Sequence, residues 1–194
     1  MLYLILRFLA FLIFNTLFRI KVYGIEHLPK IGAFILASNH ISYLDPIVLG
    51  IACPRRLNYM AKQELFKTVL LSWFMSSIGV FPIKRDSADL SALKEAMRRL
   101  KDGKALVVFP EGSRRFDGGP HEPQAGIGFL VTKINVPIVP AFLKGTEIAL
   151  PLGARFIRRT NISVYFGKQI LIERGMPYQD IAKEVMENIR HLSC

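Results

Sequence analysis

The segment Ser38-Asn39-His40-Ile41-Ser42-Tyr43-Leu44-Asp45-Pro46 places an imidazole and a carboxylate five positions apart. Two chemistries fit that spacing. Asp45 can cap a helix that starts at Pro46, because proline suits a first turn whose N–H groups lack partners. It can also hold the His40 ring in one tautomer and offset the imidazolium formed when the ring takes a proton, as a general base requires. A carboxylate has two oxygens, so the roles are compatible. Two further groups of residues bear on the choice: the cations Lys84 and Arg85, and the run Glu111-Gly112-Ser113-Arg114. Guanidinium forks match phosphate oxygens, and a glycine lets the backbone approach a ligand closely. A His–Asp pair near such cations suits base catalysis on a phosphorylated substrate. Arg85 and Arg114 could each instead pair with Asp86, Glu111 or Asp117.

All three groups follow expected strands. The apolar run 33–37 is short, continuous and bounded by Gly32 and polar residues, which predicts a buried strand just before His40. Residues 79–85 predict a strand that ends in Lys84 and Arg85, with Pro82 marking an edge or a bulge. Residues 105–109 predict another buried strand before Glu111. Further strands are expected at 19–24, 57–61, 136–143 and 161–166, the prolines of 136–143 at its start or at a sheet edge. Helices are expected at 46–52, 65–75, 125–135 and 178–192. The 65–75 helix is apolar on most faces, so it is either a core helix or a surface for lipid. Another helix, capped by Asp86 or Ser87 and closed by Gly103, would bury Leu90, Leu93, Met97 and Leu100. Its other face carries Lys94, Arg98, Arg99, Lys101 and Lys104 toward solvent. Alternating β and α units predict a single α/β domain over 19–194, with a largely parallel or mixed central sheet flanked by helices. In such sheets ligands gather outside the carboxyl ends of the strands, where all three groups fall.

Composition narrows the partners. The 194 residues include 26 basic and 15 acidic ones, a formal charge of +11, and 51% are apolar. That balance predicts an anionic partner, and the positive mean hydropathy favours a membrane surface over nucleic acid, for which no reader motif is present. Residues 1–18 are expected to form a membrane-associated helix ~27 Å long, short of a hydrocarbon layer of about 30 Å. Arg7, Asn15 and Arg19 share one side of it, as in a helix lying in one leaflet with its polar stripe toward headgroups or its own domain. Whether it spans or lies in the surface stays open. Arg19 and Lys21 place the following domain on the cytoplasmic face, the inner membrane if the cell is bacterial. Two cysteines, Cys53 and Cys194, make no disulfide framework, and no metal-ligand spacing, Walker loop, dinucleotide fingerprint or serine-hydrolase elbow is present.

Four blocks in order resemble the membrane-associated glycerolipid acyltransferases, most closely those acting on 1-acylglycerol 3-phosphate (lysophosphatidic acid). Asn39 to Asp45 looks like the family's His-x4-Asp block, and Gly79 to Arg85 like its second block. Phe109-Pro110-Glu111-Gly112-Ser113-Arg114 and Val136-Pro137-Ile138-Val139-Pro140 resemble the third and fourth. The match covers about residues 20–170. Pro82 inside the second block is a departure. So is Gln124, where many members have a basic residue, which leaves the acceptor headgroup open.

The resemblance implies His40 as general base on the sn-2 hydroxyl and Asp45 as the group that orients it. It implies Lys84, Arg85 and Arg114 at the phosphate, with Glu111, Gly112 and Ser113 shaping the acceptor site. The acyl donor would be acyl-CoA or acyl carrier protein, a co-substrate, with no cofactor and no metal. Other acceptors remain open: another lysophospholipid, a lyso-ornithine lipid or glycerol 3-phosphate. A non-catalytic basic membrane-binding module is the alternative from another class.

Overall fold

The computed structural model describes residues 2–84, 90–112, 122–173 and 175–193. Seven strands form one mixed sheet: β1 (Arg19–Tyr23), β2 (Phe34–Ser38), β3 (Leu57–Lys62), β4 (Val80–Ile83), β5 (Ala105–Val108), β6 (Ile138–Lys144) and β7 (Asn161–Phe166). Their order is β1-β7-β6-β2-β5-β3-β4. The strands from β6 to β4 run parallel to one another, whereas β7 is antiparallel to β6 and carries β1 parallel to itself. The helices are α1 (Leu2–Leu17), α2 (Asp45–Ala52), α3 (Val69–Ser77), α4 (Leu90–Lys101), α5 (Gly126–Ile134), α6 (Thr146–Ala149) and α7 (Tyr178–His191). The single α/β domain with a mixed sheet agrees with the sequence expectation.

Side chains alternate across the sheet, so each strand feeds two cores. Phe34 and Leu36 of β2 pack with Leu57, Val107 and the buried side of α2; Ile35 and Ala37 face Leu106, Leu130 and Val185, beneath α4, α5 and α7. The crossover from β2 passes over β5 to β3, and the crossover from β5 passes over β2 to β6. These neighbouring strands thus connect in opposite directions, with α2 on one face and α5 on the other. A right-handed crossover demands that change of face. Between the carboxyl ends of β2 and β5 lies a topological switch point, the usual place for a ligand in an open α/β sheet.

Several local expectations are corrected. The 65–75 segment is a short 3-10 turn, Gln63–Phe66, followed by α3, whose start is capped where the Thr68 hydroxyl accepts the Leu71 N–H at 3.2 Å. No residue of α3 is buried, and Val69 is 89% exposed, so the core-helix reading fails. On α4 the buried residues are Ala92, Ala96 and Leu100, while Leu90 is exposed. Arg99, expected on the solvated face, lies over the Phe81 ring and donates to Asn58 Oδ1 and the Gly79 carbonyl. The proposed caps Asp86 and Ser87 lie outside the described residues.

Pro82 does sit in an edge strand, β4. Pro140 does not: it lies within β6, between β2 and β7. Its carbonyl accepts from Gly167 just past the last registered pair, Ala141 with Phe166. N and C=O of one strand residue point to the same side, so the missing N–H faces that bend and leaves the ladder with β2 intact.

No helix among the described residues is long and apolar enough to cross a membrane. The 16-residue α1 packs along its own domain instead. Phe14 is buried, as is Phe18 just beyond the helix, and Arg7 donates to the carbonyls of Ile51 and Pro54. The opposite side of α1 leaves Leu4, Ile5, Phe8, Leu9, Leu12 and Ile13 exposed.

Candidate active site

His40 emerges from the carboxyl end of β2, and Asp45 opens α2 five residues later. The cap of α2 is Leu44, not Asp45 as the spacing suggested, and no side chain caps that helix start. Asp45 occupies the first turn and aims its carboxylate back over the loop. Its Oδ2 lies 2.9 Å from His40 Nδ1 and accepts the N–H groups of Ile41 at 2.7 Å and Ser42 at 2.8 Å. Of the two readings, tying the ring is therefore the one the carboxylate fulfils. Asp45 is fully buried and His40 only 7% exposed. An aspartate oxygen can only accept from the ring, so Nδ1 carries a proton, and in the neutral ring Nε2 is the nitrogen with the lone pair.

The ring is held on a second side. Phe109, at the end of β5, stacks on His40 with centroids 3.8 Å apart and planes 15° from parallel. β2 and β5 are paired in register up to Ala37 with Val108, so the residues that follow them meet by construction. The loop is fixed from β6 as well. Asn39 donates through Nδ2 to the Leu143 carbonyl at 2.9 Å and accepts the Leu143 N–H through Oδ1 at 2.8 Å. That pair imitates a rung of sheet and extends β2 alongside β6. The Ser42 hydroxyl donates to the Leu150 carbonyl, and Tyr59 of β3 donates to the Pro46 carbonyl in the first turn of α2, both at 2.9 Å. Sequence reasoning did not single out Asn39, Ser42, Tyr59 or Phe109 as site residues. Asn39 and Ser42 could have been suspected as polar residues between a buried strand and a helix. Phe109 carries no such mark.

The other expected residues divide by position. Glu111 and Gly112 come three and four residues after the end of β5, in the turn just past Phe109, which stacks on His40. Gly112 has φ of 75°, a region open to glycine at little cost, and a Cβ there would lie 2.2 Å from the Gln124 amide. The Gln124 side chain thus closes over the turn after β5, held by its own N–H on the Pro110 carbonyl at 2.8 Å. Lys84 follows the edge strand β4, at the same end of the sheet but with β5 and β3 intervening. Three strand spacings put it about 14 Å from β2. Arg85, Ser113 and Arg114 lie outside the described residues.

A cavity of about 340 Å³ opens at the opposite end of the sheet, lined by Arg55, Arg56, Asn58, Arg99 and Lys104. Its arginines are committed to the main chain. Arg55 serves the Pro29, Gly32 and Gly103 carbonyls, Arg56 the Ser77 carbonyl, and Arg99 that of Gly79. These are ties across loops and helix ends, on the side of the sheet away from the His–Asp pair.

A family model described as Acyltransferase matches residues 19–144, which include β1 to β6 and the whole His40 loop. The chain is 33% identical over 127 residues to a 1-acyl-sn-glycerol-3-phosphate acyltransferase of Bacillus subtilis, covering 65% of this chain and 63% of that protein. It is 31% identical over 157 residues to a chloroplastic 1-acyl-sn-glycerol-3-phosphate acyltransferase of Arabidopsis thaliana, covering 79% of this chain and 44% of that one. The chain therefore spans less than two thirds of the length of either relative. The crystal structure of the 1-acyl-sn-glycerophosphate acyltransferase from Thermotoga maritima shares the fold, with a TM-score of 0.82 over 98% of this chain and 78% of that one at 24% identity. With the His40–Asp45 loop, the switch point and the family match all in the same stretch, the chain belongs to the acyltransferase family.

Proposed function

We propose that the chain transfers a fatty acyl group from the thioester of acyl-CoA or acyl carrier protein to the sn-2 hydroxyl of 1-acylglycerol 3-phosphate, giving phosphatidic acid. One observation carries the reading: a buried imidazole held by a buried carboxylate at 2.9 Å, at the switch point of an acyltransferase-family domain. The relatives named above, each a 1-acyl-sn-glycerol-3-phosphate acyltransferase, support the choice of acceptor.

His40 Nε2 takes the proton of the acceptor hydroxyl as its oxygen attacks the thioester carbonyl. The tetrahedral adduct then expels the thiolate, which recovers that proton from the imidazolium and leaves as the thiol. A thioester is reactive enough that orientation and base catalysis suffice without a covalent enzyme intermediate. Asp45 keeps Nδ1 as the donor and offsets the imidazolium charge, and Phe109 fixes the plane of the ring. Glu111 and Gly112 border the acceptor on the β5 side. Lys84, Arg85 and Arg114 are assigned to the phosphate and Ser113 to the acceptor site with Glu111 and Gly112, Lys84 lying at the outer limit of the site because of its edge position.

The exposed apolar side of α1, together with the charge of +11, fits a helix lying in the surface of an anionic membrane at the cytoplasmic face. There the domain meets its lipid acceptor without drawing it into water.

The test is acceptor-dependent thiol release from an acyl-CoA or acyl carrier protein by purified protein in detergent or vesicles. His40→Ala is expected to lower turnover by about 100-fold or more, the usual scale for a general base. Near-normal turnover in that variant would sink the assignment of the base. Release with another lysolipid only would change the acceptor, and no release with either donor from folded protein would favour a non-catalytic membrane module.

A further inference from the structure

Between β6 and β7 the chain passes around the end of the sheet that carries His40, since Lys144 and Ser163 are paired there. After α6 it forms a loop, 150–160, with a fixed base. The Leu150 carbonyl accepts the Ser42 hydroxyl of the catalytic loop at 2.9 Å, and Ala149 and Leu150 join the core that holds Phe14 and Phe18. The Arg158 N–H returns to the Ala149 carbonyl at 2.8 Å, and the Ala154 N–H to the Pro151 carbonyl at 3.0 Å.

The crown of this loop, Arg155-Phe156-Ile157-Arg158-Arg159, is exposed throughout. Phe156 is 81% and Ile157 49% exposed. Among the described residues no hydrogen bond or ion pair engages the three guanidinium groups. A loop that faced only water would gain nothing from a bare phenyl ring between unpaired cations. A leaflet offers both partners at the right depths, phosphates at the surface and apolar acyl segments beneath. The loop also springs from the side of the sheet on which α1 exposes its apolar face, so both can meet one plane.

We propose that Arg155–Arg159 is a second membrane-contact element, which inserts Phe156 and Ile157 into an anionic leaflet and pairs its arginines with lipid phosphates. Through the bond between Ser42 and Leu150 it sets the His40 loop at a fixed attitude to the lipid surface. The proposal rests on the reading of this chain as a lipid acyltransferase and goes beyond it in assigning the surface.

The chain has one tryptophan, so Phe156→Trp in a Trp73→Phe background reports on the loop alone. On vesicles of phosphatidylcholine and phosphatidylglycerol its emission is expected to shift to the blue and to be quenched several-fold by lipids brominated high on the acyl chain. Unchanged emission on vesicles that demonstrably carry the full chain overturns the proposal. Replacing Arg155, Arg158 and Arg159 together by Gln is expected to weaken partition onto anionic vesicles at low salt by on the order of a hundredfold, about fivefold per cation. A change below threefold overturns it.

Transfer to a short-chain, monomerically dispersed acceptor separates the two readings. If wild type transfers there while the tryptophan stays silent on vesicles, the proposal fails and the acyltransferase reading stands. If wild type transfers to no acceptor, that reading fails, whereas a blue-shifted tryptophan still supports the loop as a membrane contact. A silent tryptophan, with transfer from acyl carrier protein but not acyl-CoA lost in the triple variant, would overturn the proposal and make the loop a dock for an acidic carrier.

Discussion

Asp45 Oδ2 accepts three donors at once, and this decides how its replacements should behave. Asparagine at 45 can keep an oxygen toward the two N–H groups and the ring, so Asp45→Asn should fold with a near-native melting temperature. It has no charge to offset the imidazolium, and turnover should fall by about 100-fold or more. Parallel melts and turnover measurements check this, and near-normal turnover would remove Asp45 from the mechanism. Asn39 differs, because it touches no reacting atom and acts by holding the loop to β6. Asn39→Ala leaves the Leu143 N–H and carbonyl without those partners in a buried place, a cost of about 1–3 kcal/mol. Turnover should fall with stability, read by melting and kinetics together. Unchanged stability would mean that the Leu143 groups find other partners.

At the level of elements, α4 is attached to the sheet by a chain of polar contacts rather than by an apolar stripe alone. Glu95 accepts from Arg98 and Arg99, and Arg99 continues to Asn58 of β3 and to Gly79 before β4. The hydrogen bond from Arg98 is the main reason the Glu95 carboxyl drops from 4.5 to about 2; partial burial opposes the fall and Arg99 adds to it. A carboxyl whose pKa is lower folded than unfolded stabilises the fold above its unfolded pKa. That contribution is complete above about pH 4.5 and is lost as pH falls toward about 2. Partial exposure keeps it to about 1 kcal/mol or less. Melting temperature against pH should therefore fall less steeply below pH 4.5 for Glu95→Gln than for wild type, and parallel curves would show that the network adds nothing.

The whole molecule presents a helix with one side in its own core and the other side apolar and bare, on a chain with a charge of +11. Membrane binding should then have two parts. High salt should screen the cationic part, since a Debye length shrinks from about 10 Å at 0.1 M to about 3 Å at 1 M. The part due to Leu4, Phe8 and their neighbours on α1 should survive. Sedimentation of the full chain with vesicles before and after a high-salt wash checks this, and complete release by salt would show that α1 is not embedded. The same arrangement explains why α1 need not span: Arg7 spends its donors on the carbonyls of Ile51 and Pro54, inside the domain.

The His40–Asp45 spacing, the buried strand before it and the alternation of β and α units were legible by themselves, because strands, turns and first helical turns depend on residues close in sequence. The blocks that resemble the acyltransferases were equally local. The neighbours of the site were not. Phe109 reaches the His40 ring only because β5 lies beside β2, and Asn39 meets Leu143, 104 residues away, only because β6 lies on the other side. Strand order follows from crossovers and face burial across the whole domain, which no local pattern encodes. For the same reason Lys84, whose strand Pro82 had marked as an edge or a bulge, ends three strand spacings from β2, the apolar α3 is exposed, and Arg99 is drawn into the structure rather than left in solvent. The sequence determined which residues could do the chemistry; the sheet decided which of them meet.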